Sequence, residues 1–494
     1  MQSTPIQLKL VYPIPVVVGN HEYLKFQKIL EKIDIMLVEG NLEEMASLAI
    51  IQRHQLKSDS KPLILKIKMQ IREKASRALR CSILLRLTGV SYRKAAFQLA
   101  DSSLMQRFCG LISLDQASVP SKSTLESYSK MFSQTELREL VMELIRQASS
   151  AESAIFENPI DTSDLFYDST CVNLNIHYPV DWVLFRDATR TLMKAVELIR
   201  KRGLKNRMNE PKYFMKAMNN LCIEMTHSRR KLGAKKHRKC VLRKMKKLSR
   251  KIATHAEKHK ELLMNRREGM NLSKAQASNI INRIDGVIEV LPDAIKQAHE
   301  RIIGERKVKN CDKILSLYES DPHVIVFGKT GAEVEFGNTL LIGEQRNGII
   351  IDWNLSKERS PGDGALLIES LDRISENLKE KLPSSVTGDR GFDGPKTRDY
   401  LQKAGIENGV CPKSVPALKE QMRQPDFAAR QTRRGQTEAR IAIVKNGFIG
   451  SPIKSKGFEN QNIKVGLAIF THNLWVMARI LVARDREKEI RIAA

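Results

Sequence analysis

Apolar residues recur at helical spacing along most of this chain, and two long segments show the pattern most clearly. One is residues 21–150. The other is residues 186–312, where a mostly apolar seam from Val241 to Leu262 repeats at alternating steps of four and three, and apolar positions from Ile280 to Ile302 repeat at steps of three or four. Steps of three and four place side chains on one face of an α-helix. The pattern therefore predicts a helical N-terminal region and, later, an antiparallel helical hairpin with its connector near Gly269.

Strand-like runs occupy other parts of the chain, on both sides of the predicted hairpin. They are short and rich in β-branched or aromatic residues. They lie at residues 165–168, 172–176, 323–327, 334–344 and 348–354, just before Gly388, and near 409–411. Helical patterns at residues 364–378, 396–404 and 465–483, and one around Glu438, alternate with the later runs. This alternation predicts a mixed α/β core, with the helical hairpin inserted after its first strand or hairpin.

The net charge points to a partner. The 494 residues include 83 Lys and Arg against 56 Asp and Glu, a formal charge of +27, and the pI is near 9.8. Such an excess favours a polyanion, most simply nucleic acid, because neutralising phosphates releases counterions. The window 229–251 has no acid and overlies the apolar seam, so we expect a basic helix that binds DNA backbone. A solvated basic face with a merely structural seam is the alternative.

Other patterns argue against several classes of protein. The seven cysteines are scattered, odd in number and without a CxxC pair, which favours free thiols in a reducing compartment over a zinc ribbon or a disulfide framework. No signal peptide is evident, and the longest apolar stretch, Val465–Ile480, reads as too short and too polar to span a bilayer. No P-loop or GxGxxG motif occurs, so no nucleotide cofactor is expected. We therefore expect a soluble, intracellular protein.

Three histidines could be metal ligands or catalytic groups, but their positions in the sequence favour structural roles. His255 and His259 are four residues apart, but the intervening acid is misplaced for an HExxH zinc motif, and both fall on the helix seam. His472 precedes Asn473 inside an apolar helical pattern. We expect His472 and Asn473 to be a hydrogen-bonded buried pair.

Glu438 has the most informative surroundings. Arg434 lies about one helical turn before it and Lys445 about two turns after it. At ~100° per residue, these offsets fall near one face of a helix. A carboxylate between two cations suits a site where the acid binds a metal ion and the cations hold phosphates. The alternative is an exposed face of surface ion pairs.

Two aspartates could complete a set of acids. Asp168 follows three large apolar residues, and the end of a buried strand is where α/β folds place site residues, although a turn-forming role is the alternative. Asp389 lies in the run Gly-Asp-Arg-Gly-Phe, whose glycines allow a sharp turn and close backbone approach. Asp363 is a rival, but it precedes a helix and fits an N-cap better. With Glu438, Asp168 and Asp389 would be the minimum set for metal-assisted phosphodiester chemistry.

The N-terminal region also has features of a DNA-binding unit. Ser91 can cap the helix that follows it, and Ser121, Ser123 or Thr124 can cap the next. Short helices, tight turns and a polar helix face are typical of a helix-turn-helix. A plain helical bundle is the alternative.

Taken in order, three motifs resemble bacterial insertion-sequence transposases of the DDE class. They are Asp-Ser-Thr at 168–170 after an apolar strand, Gly-Asp-Arg-Gly-Phe at 388–392, and Arg434-x3-Glu438-x6-Lys445. The relevant branch carries Tyr-x2-Arg-x3-Glu-x6-Lys around its third acid, and here Gln431 stands at the tyrosine position. Residues 87–132 and 465–481 resemble these transposases too, so the likeness covers most of the chain outside 186–312.

The resemblance implies an RNase H-like core in which Asp168, Asp389 and Glu438 are the catalytic and metal-binding residues. Two Mg²⁺ ions, for which Mn²⁺ can substitute, would serve the attacking and the leaving oxygen. The implied reaction is cleavage at the ends of an insertion sequence, followed by strand transfer into target DNA. The implied assembly is a homodimer on double-stranded DNA, in a prokaryotic cytoplasm and associated with the nucleoid. A transposase-derived metal-dependent nuclease and a catalytically dead basic DNA-binding protein are the alternatives.

These expectations divide the chain into three parts. Residues 1–150 would be a helical, helix-turn-helix-like DNA-binding domain, residues 160–185 and 316–485 the catalytic core, and residues 186–312 the basic helical-hairpin insertion. Arg434 and Lys445 would hold phosphates beside the scissile bond. Further DNA contacts would come from the basic window, through Lys235, Lys236, Arg238, Lys239, Arg243 and Lys244.

Overall fold

A computed structural model describes most of the chain. It covers residues 17–57, 63–113, 116–153, 155–228, 232–265, 272–319, 321–326, 334–377 and 382–493. Residues 229–231 of the basic window, the hairpin connector near Gly269 and Phe327 of a predicted strand lie outside these ranges. The chain divides into two compact units, Met1–Val172 with Thr339–Ala494, and Asn173–Asn338.

Within the described residues, the N-terminal part of the first unit contains seven helices and a short hairpin. The helices are α1 (His21–Val38), α2 (Leu42–Lys57), α3 (Leu65–Thr88), α4 (Tyr92–Asp101), α5 (Ser103–Phe108), α6 (Lys122–Tyr128) and α7 (Gln134–Ser149), and the hairpin strands are β1 (Ile112–Ser113) and β2 (Gln116–Ala117). The predicted caps are confirmed: the Ser91 hydroxyl accepts from Lys94 N and the Ser121 hydroxyl from Thr124 N. Helices α4 and α6 pack together, but α5 and the hairpin separate them along the chain.

Six further strands follow. They are β3 (Asp164–Asn173), β4 (His323–Val326), β5 (Val334–Gln345), β6 (Ile350–Leu355), β7 (Ser385–Thr387) and β8 (Glu407–Asn408). In the first unit the strand order is β6–β5–β3–β7–β8. Strand β6 pairs antiparallel with β5, whereas β7 pairs parallel with both β3 and β8. The two separately predicted strands at 165–168 and 172–176 are largely one continuous strand, β3.

Helices cover both faces of this sheet. They are α12 (Asp363–Asn377), α13 (Pro395–Lys403), α14 (Val415–Gln421), α15 (Pro425–Ile443), which continues into a π-helical turn (Val444–Ile449), and α16 (Phe458–Ala493). The Tyr167 hydroxyl lies 3.0 Å from the Ser370 hydroxyl of α12. The preceding residue, Phe166, has its ring 4.6 Å from the Arg433 guanidinium of α15. Because neighbouring side chains of a strand point to opposite faces, α12 and α15 lie on opposite sides of β3.

Helix α16 is a core helix of the first unit. By length and composition it could cross a membrane, unlike the shorter stretch considered in the sequence, but 72% of its apolar window is buried inside the protein. Asn473 bonds both backbone groups of Ile350, accepting from its N at 2.9 Å and donating to its O at 2.8 Å. His472 is also buried, as predicted. Burial lowers the pKa of His472 to about 4, so its imidazole is neutral at pH 7.

The second unit is dominated by four helices among its described residues. They are α8 (Asp181–Lys201), α9 (Pro211–His227), α10 (Ala234–Asn265) and α11 (Lys274–Ala298). Lys260 of α10 pairs with Asp285 of α11 at 2.7 Å, and Lys246 contacts His299, just beyond α11, at 3.0 Å. These contacts show that α10 and α11 run antiparallel. Helix α8 packs against both and against α9, so the predicted hairpin is part of a larger helical bundle.

The apolar seam explains why these helices associate. Val241, Met245 and Ile252 of α10 are buried together with Ile284 and Val287 of α11, and burying each such side chain stabilises the fold by about 1.5–3 kcal/mol. In the same unit, β4 pairs antiparallel with the first residues of β5. The fold class predicted from the sequence is confirmed: a helical N-terminal region, a mixed α/β core and a long helical insertion.

Candidate active site and nucleic-acid surfaces

Asp168 lies in the middle of β3, not at the end of a strand as predicted. The strand continues to Asn173 because Cys171 and Val172 are again buried, whereas Asp168, Ser169 and Thr170 form a partly exposed break. One Asp168 carboxylate oxygen accepts from the Ser169 backbone N at 2.8 Å. The strand thus opens to solvent at the predicted acid.

Asp389 lies level with Asp168. In the parallel register of β3 and β7, Leu165 is opposite Val386 and Phe166 is opposite Thr387. Two residues further along each chain are Asp168 and Asp389. Strand β7 ends at Thr387, and adjacent parallel strands are ~4.7–4.9 Å apart. The pairing therefore brings the backbone just before Asp168 beside the backbone just before Asp389, although the two residues are 221 residues apart in sequence.

The two glycines around Asp389 are required by close packing. A Cβ at Gly388 would lie 2.9 Å from the Phe392 ring, and a Cβ at Gly391 would lie 2.4 Å from a carboxylate oxygen of Asp363 and 3.0 Å from one of Asp389. The same Asp389 oxygen accepts from Gly391 N at 2.8 Å. The predicted sharp turn after the strand is confirmed, and it fixes the Asp389 carboxylate.

Asp363 is the first helical residue of α12, so the expectation of an N-cap is wrong. Its carboxylate approaches the same point beside Gly391 as that of Asp389. Burial and then the charge of Asp389 raise the pKa of Asp363, while a hydrogen bond with Ser169 opposes the rise. A fourth acid therefore lies beside the predicted site, and only the fold brings it there.

Helix α15 is fixed to the sheet by a buried carboxylate that the sequence did not single out. Glu344 of β5 is 1% exposed. It accepts from the Thr437 hydroxyl at 2.8 Å and from Arg433 at 3.0 Å, and Arg440 lies 3.6 Å away. Thr437 directly precedes Glu438, so this network sets the position of the predicted third acid. A lone Glu at the end of an apolar strand gives no sequence signal for such a role.

One flank of α15 is linked to the start of β3. Arg433 and Arg440 both donate to the backbone O of Arg346, and Arg346 pairs with Asp164 at the start of β3. Glu438 lies about 140° around the helix from Arg433, at ~100° per residue. The side chain of Glu438 is therefore on a different flank of α15 from the one that contacts Arg346.

Gln431 holds Arg434 in place on α15. It donates to the backbone O of Gly409 at 2.7 Å and accepts from Arg434 Nε at 3.2 Å. Arg434 in turn lies 3.7 Å from Glu438, whose side chain is 55% exposed. Lys445 is in the π-helical turn that continues α15. The residue at the expected tyrosine position thus links the end of β8 to Arg434.

The acids have the right chemistry for divalent cations, because carboxylate oxygens are the protein ligands that Mg²⁺ prefers. A cation would also relieve the repulsion between Asp363 and Asp389. Among the described residues, no group of three or more His, Cys, Asp or Glu is assembled to hold a metal ion. Glu438 accordingly faces Arg434 in this structure and does not close a ligand shell with the two aspartates.

The basic window of α10 separates into bound and available cations. Lys235 and Lys239 both pair with Glu305, and the Arg238 guanidinium lies 5.4 Å from the Trp182 ring. The remaining predicted DNA-binding residues of the window are exposed and have no ion pair or hydrogen bond with the described part of the chain: Lys236, Arg243 and Lys244.

Two more exposed cations continue the same face. Lys247 and Arg250 follow Lys236 and Arg243 at helical spacing, and at ~100° per residue these four lie within about 60° of one another. All four are exposed. We call Lys236, Arg243, Lys247 and Arg250 the α10 stripe. The second unit contains 36 Lys and Arg against 18 Asp and Glu, so it contributes +18 of the total +27.

A comparison with protein-family models identifies part of this core. Residues 338–474 match the transposase DDE domain, a segment that contains Asp363, Asp389 and Glu438 and begins after Asp168. No curated protein and no solved structure matches the chain.

Proposed function

Because the chain carries a transposase DDE domain, and so belongs with the DDE-class transposases it resembles, we propose that it cuts DNA at the ends of an insertion sequence and transfers the strands into target DNA. Asp168, Asp389 and Glu438 would be its catalytic residues. The observation that carries the proposal is their placement. Phe166 of β3 pairs with Thr387 of β7, two residues before Asp168 and Asp389. Glu438 is on α15, which packs against β3 through Arg433 and Phe166.

Two Mg²⁺ ions held by these acids would supply activation of the attacking oxygen and neutralisation of the charge on the leaving oxygen. The residues of the chain position this chemistry. The Gly391 turn holds the Asp389 carboxylate, and the Glu344 network holds α15. Glu438 would have to leave Arg434 to join the aspartates. The exposed 3.7 Å pair is weak enough to permit that movement.

Arg434 and Lys445 would hold phosphates beside the scissile bond. Once Glu438 turns towards a cation, the Arg434 guanidinium is free to make a forked, charge-assisted contact with a phosphate. Gln431 would keep the guanidinium on that flank through its bond to Nε. This supports a positioning role for Gln431 where related transposases carry a tyrosine.

The α10 stripe would bind DNA backbone without reading base sequence. Its side chains are exposed cations on one helix face, and phosphate contacts supply affinity and not sequence information. The N-terminal helices would recognise the element ends. A homodimer would bring two ends together for strand transfer.

The test is a cleavage and strand-transfer assay with Mg²⁺ on a duplex containing the DNA that flanks the gene. Asp168→Asn, Asp389→Asn and Glu438→Gln should each lower cleavage by about 100-fold or more, since each removes several kcal/mol of transition-state stabilisation. DNA binding should persist. Asp399→Asn, at an exposed position on α13, is the matched control.

Other results would redirect the proposal. Full activity of Asp389→Asn together with loss of activity in Asp363→Asn would move the second acid to Asp363. Cleavage without any strand-transfer product would indicate a nuclease. Binding without cleavage under all metal conditions would indicate a DNA-binding protein with an inactive site.

A further inference from the structure

Helices α3 and α16 and the π-helical turn pack together, and three basic residues lie in or next to these elements. A Cβ at Gly450, at the end of the turn, would lie 4.0 Å from Lys464 Nζ. Arg86 is in the last turn of α3, Lys464 is near the start of α16, and Lys454 is in the segment before α16. A Cβ at Gly89, which ends α3, would lie 3.6 Å from the backbone O of Gly447. The π-helical turn that contains Lys445 therefore forms one wall of this junction.

The cations of this junction are not balanced by any carboxylate in the part of the chain that the structure describes. Arg86, Lys454 and Lys464 form no ion pair with any carboxylate in the described ranges. Burial first, and then the charges of Arg86 and Lys454, lower the pKa of Lys464 to about 8. Burial also lowers the pKa of Arg86, opposed by the Tyr92 hydroxyl. Folding has thus brought like charges together at a cost that an anion would offset.

Arg86 also has an unused donor. Its Nε is buried and has no hydrogen-bond partner in the described structure. Such a group costs about 1–3 kcal/mol or more when left unpaired, and buried polar atoms without a partner are uncommon in native proteins. An oxyanion between Arg86 and Lys464 would satisfy it.

We infer that Arg86, Lys454 and Lys464, hereafter the junction cluster, bind a phosphate group, and that in the working protein this is a backbone phosphate of bound DNA. Lys454 is exposed, so the cluster opens to the surface. The π-helical turn connects it to Lys445, which is proposed to hold a phosphate at the scissile end. The DNA assignment rests on the proposed function, whereas the phosphate chemistry does not.

Two measurements test the inference separately from catalysis. The first is thermal melting in inorganic phosphate against chloride at matched ionic strength. Phosphate should raise the Tm of the wild-type chain, because an anion that binds only the folded state stabilises it. Lys464→Gln should lose most of this rise. Lys454→Gln should lose part of this rise. Because Lys454 is exposed, this variant should fold even if substitution of the more buried Lys464 does not.

The second measurement is the salt dependence of binding to a labelled duplex that carries the flanking DNA. Lys454→Gln and Lys464→Gln should each reduce the slope of log K against log salt by about 0.9, the value of one phosphate contact. Lys403→Gln, at an exposed lysine in the last turn of α13, is the control and should leave the slope unchanged. Asp389→Asn should also leave it unchanged while abolishing cleavage.

The outcomes separate the two claims. No phosphate-dependent rise in Tm and unchanged slopes in both lysine variants would overturn the inference. A rise in Tm with unchanged slopes would assign the cluster to free phosphate and overturn the DNA assignment. Reduced slopes in a protein that never cleaves DNA would support the cluster and remove the proposed function.

Discussion

Helices α10 and α15 are both rich in basic residues, yet the fold uses their charges in opposite ways. In α15, Arg430, Arg433, Arg434 and Arg440 each lie beside a carboxylate: Arg430 beside Glu407, Arg433 and Arg440 beside Glu344, and Arg434 beside Glu438. In α10, the stripe residues Lys236, Arg243, Lys247 and Arg250 are exposed and have no such partner in the described chain.

The difference shows that a count of cations along a helix does not reveal whether they can reach a polyanion. A cation paired with a buried carboxylate fixes its helix to the protein, because separating the pair would leave an uncompensated charge. An exposed, unpaired cation is free to neutralise a phosphate. Helix α15 is thus suited to positioning a site, and α10 to holding DNA.

The largest effect should come from removing the carboxylate that fixes α15. Glu344→Gln leaves Arg433 and Arg440 without a counter-charge in a buried place, and we expect a loss of about 3–5 kcal/mol in the free energy of unfolding. Urea unfolding measures it. Glu126→Gln is the control, because both side chains of its ion pair with Lys130 are nearly half-exposed and its loss should cost about 1 kcal/mol or less. Equal losses in both variants would contradict the proposed anchoring role.

Neutralising the α10 stripe should change DNA binding and not folding. Changing Lys236, Arg243, Lys247 and Arg250 to Gln should lower the slope of log K against log salt by up to ~0.9 for each phosphate that the helix no longer neutralises. The effect should be the same for all duplex sequences. Changing Lys235 and Lys239 to Gln is the control, since Glu305 already pairs with both. If the slope falls only in the Lys235 and Lys239 variant, those two lysines and not the α10 stripe contact the DNA.

The pH dependence of stability should report the strained lysine of the junction cluster. The pKa of Lys464 is lowered to about 8 in the folded chain, against ~10.4 for an ordinary lysine. Between these values the unfolded chain binds the proton more tightly, so raising the pH stabilises the folded state. The Tm advantage of Lys464→Met over wild type should therefore shrink between about pH 7 and pH 10 in chloride. A constant difference would show that the ammonium is not strained.

The smallest effect on stability should come from the exposed pair of α15. Arg434→Ala removes the 3.7 Å ion pair with a half-exposed Glu438, which should change the free energy of unfolding by less than about 1 kcal/mol. Cleavage should nevertheless fall about tenfold or more, because the guanidinium proposed to bind a phosphate is gone. Arg434→Lys should still reduce it, since lysine lacks the planar fork. If both variants cleave DNA as well as wild type, Arg434 does not bind a phosphate and serves only as an ion-pair partner of Glu438.

Much of the architecture could be predicted from the sequence because it depends on local periodicity. The 4-3 apolar seam of α10 and α11 predicts two helices wherever the chain folds, since burial of one face drives their formation. The Gly-Asp-Arg-Gly-Phe run predicts a tight turn, and the structure shows that Gly388 and Gly391 have no room for a side chain. Ser91 and Ser121 predict helix starts because capping is a local hydrogen bond.

What depended on long-range packing could not be predicted. The sequence around Asp363 favours a local capping role, yet tertiary structure turns its carboxylate towards the Asp389 turn. The sequence around Glu344 gives no signal for its role as an anchor. Lys235 and Lys239 looked equivalent to Lys236 until the fold placed Glu305 beside them. Local periodicity and composition are enough to indicate most helices and strands and to locate the excess of positive charge. Which charges are paired and which remain for a ligand depends on tertiary packing, because an ion pair joins residues that periodicity does not relate.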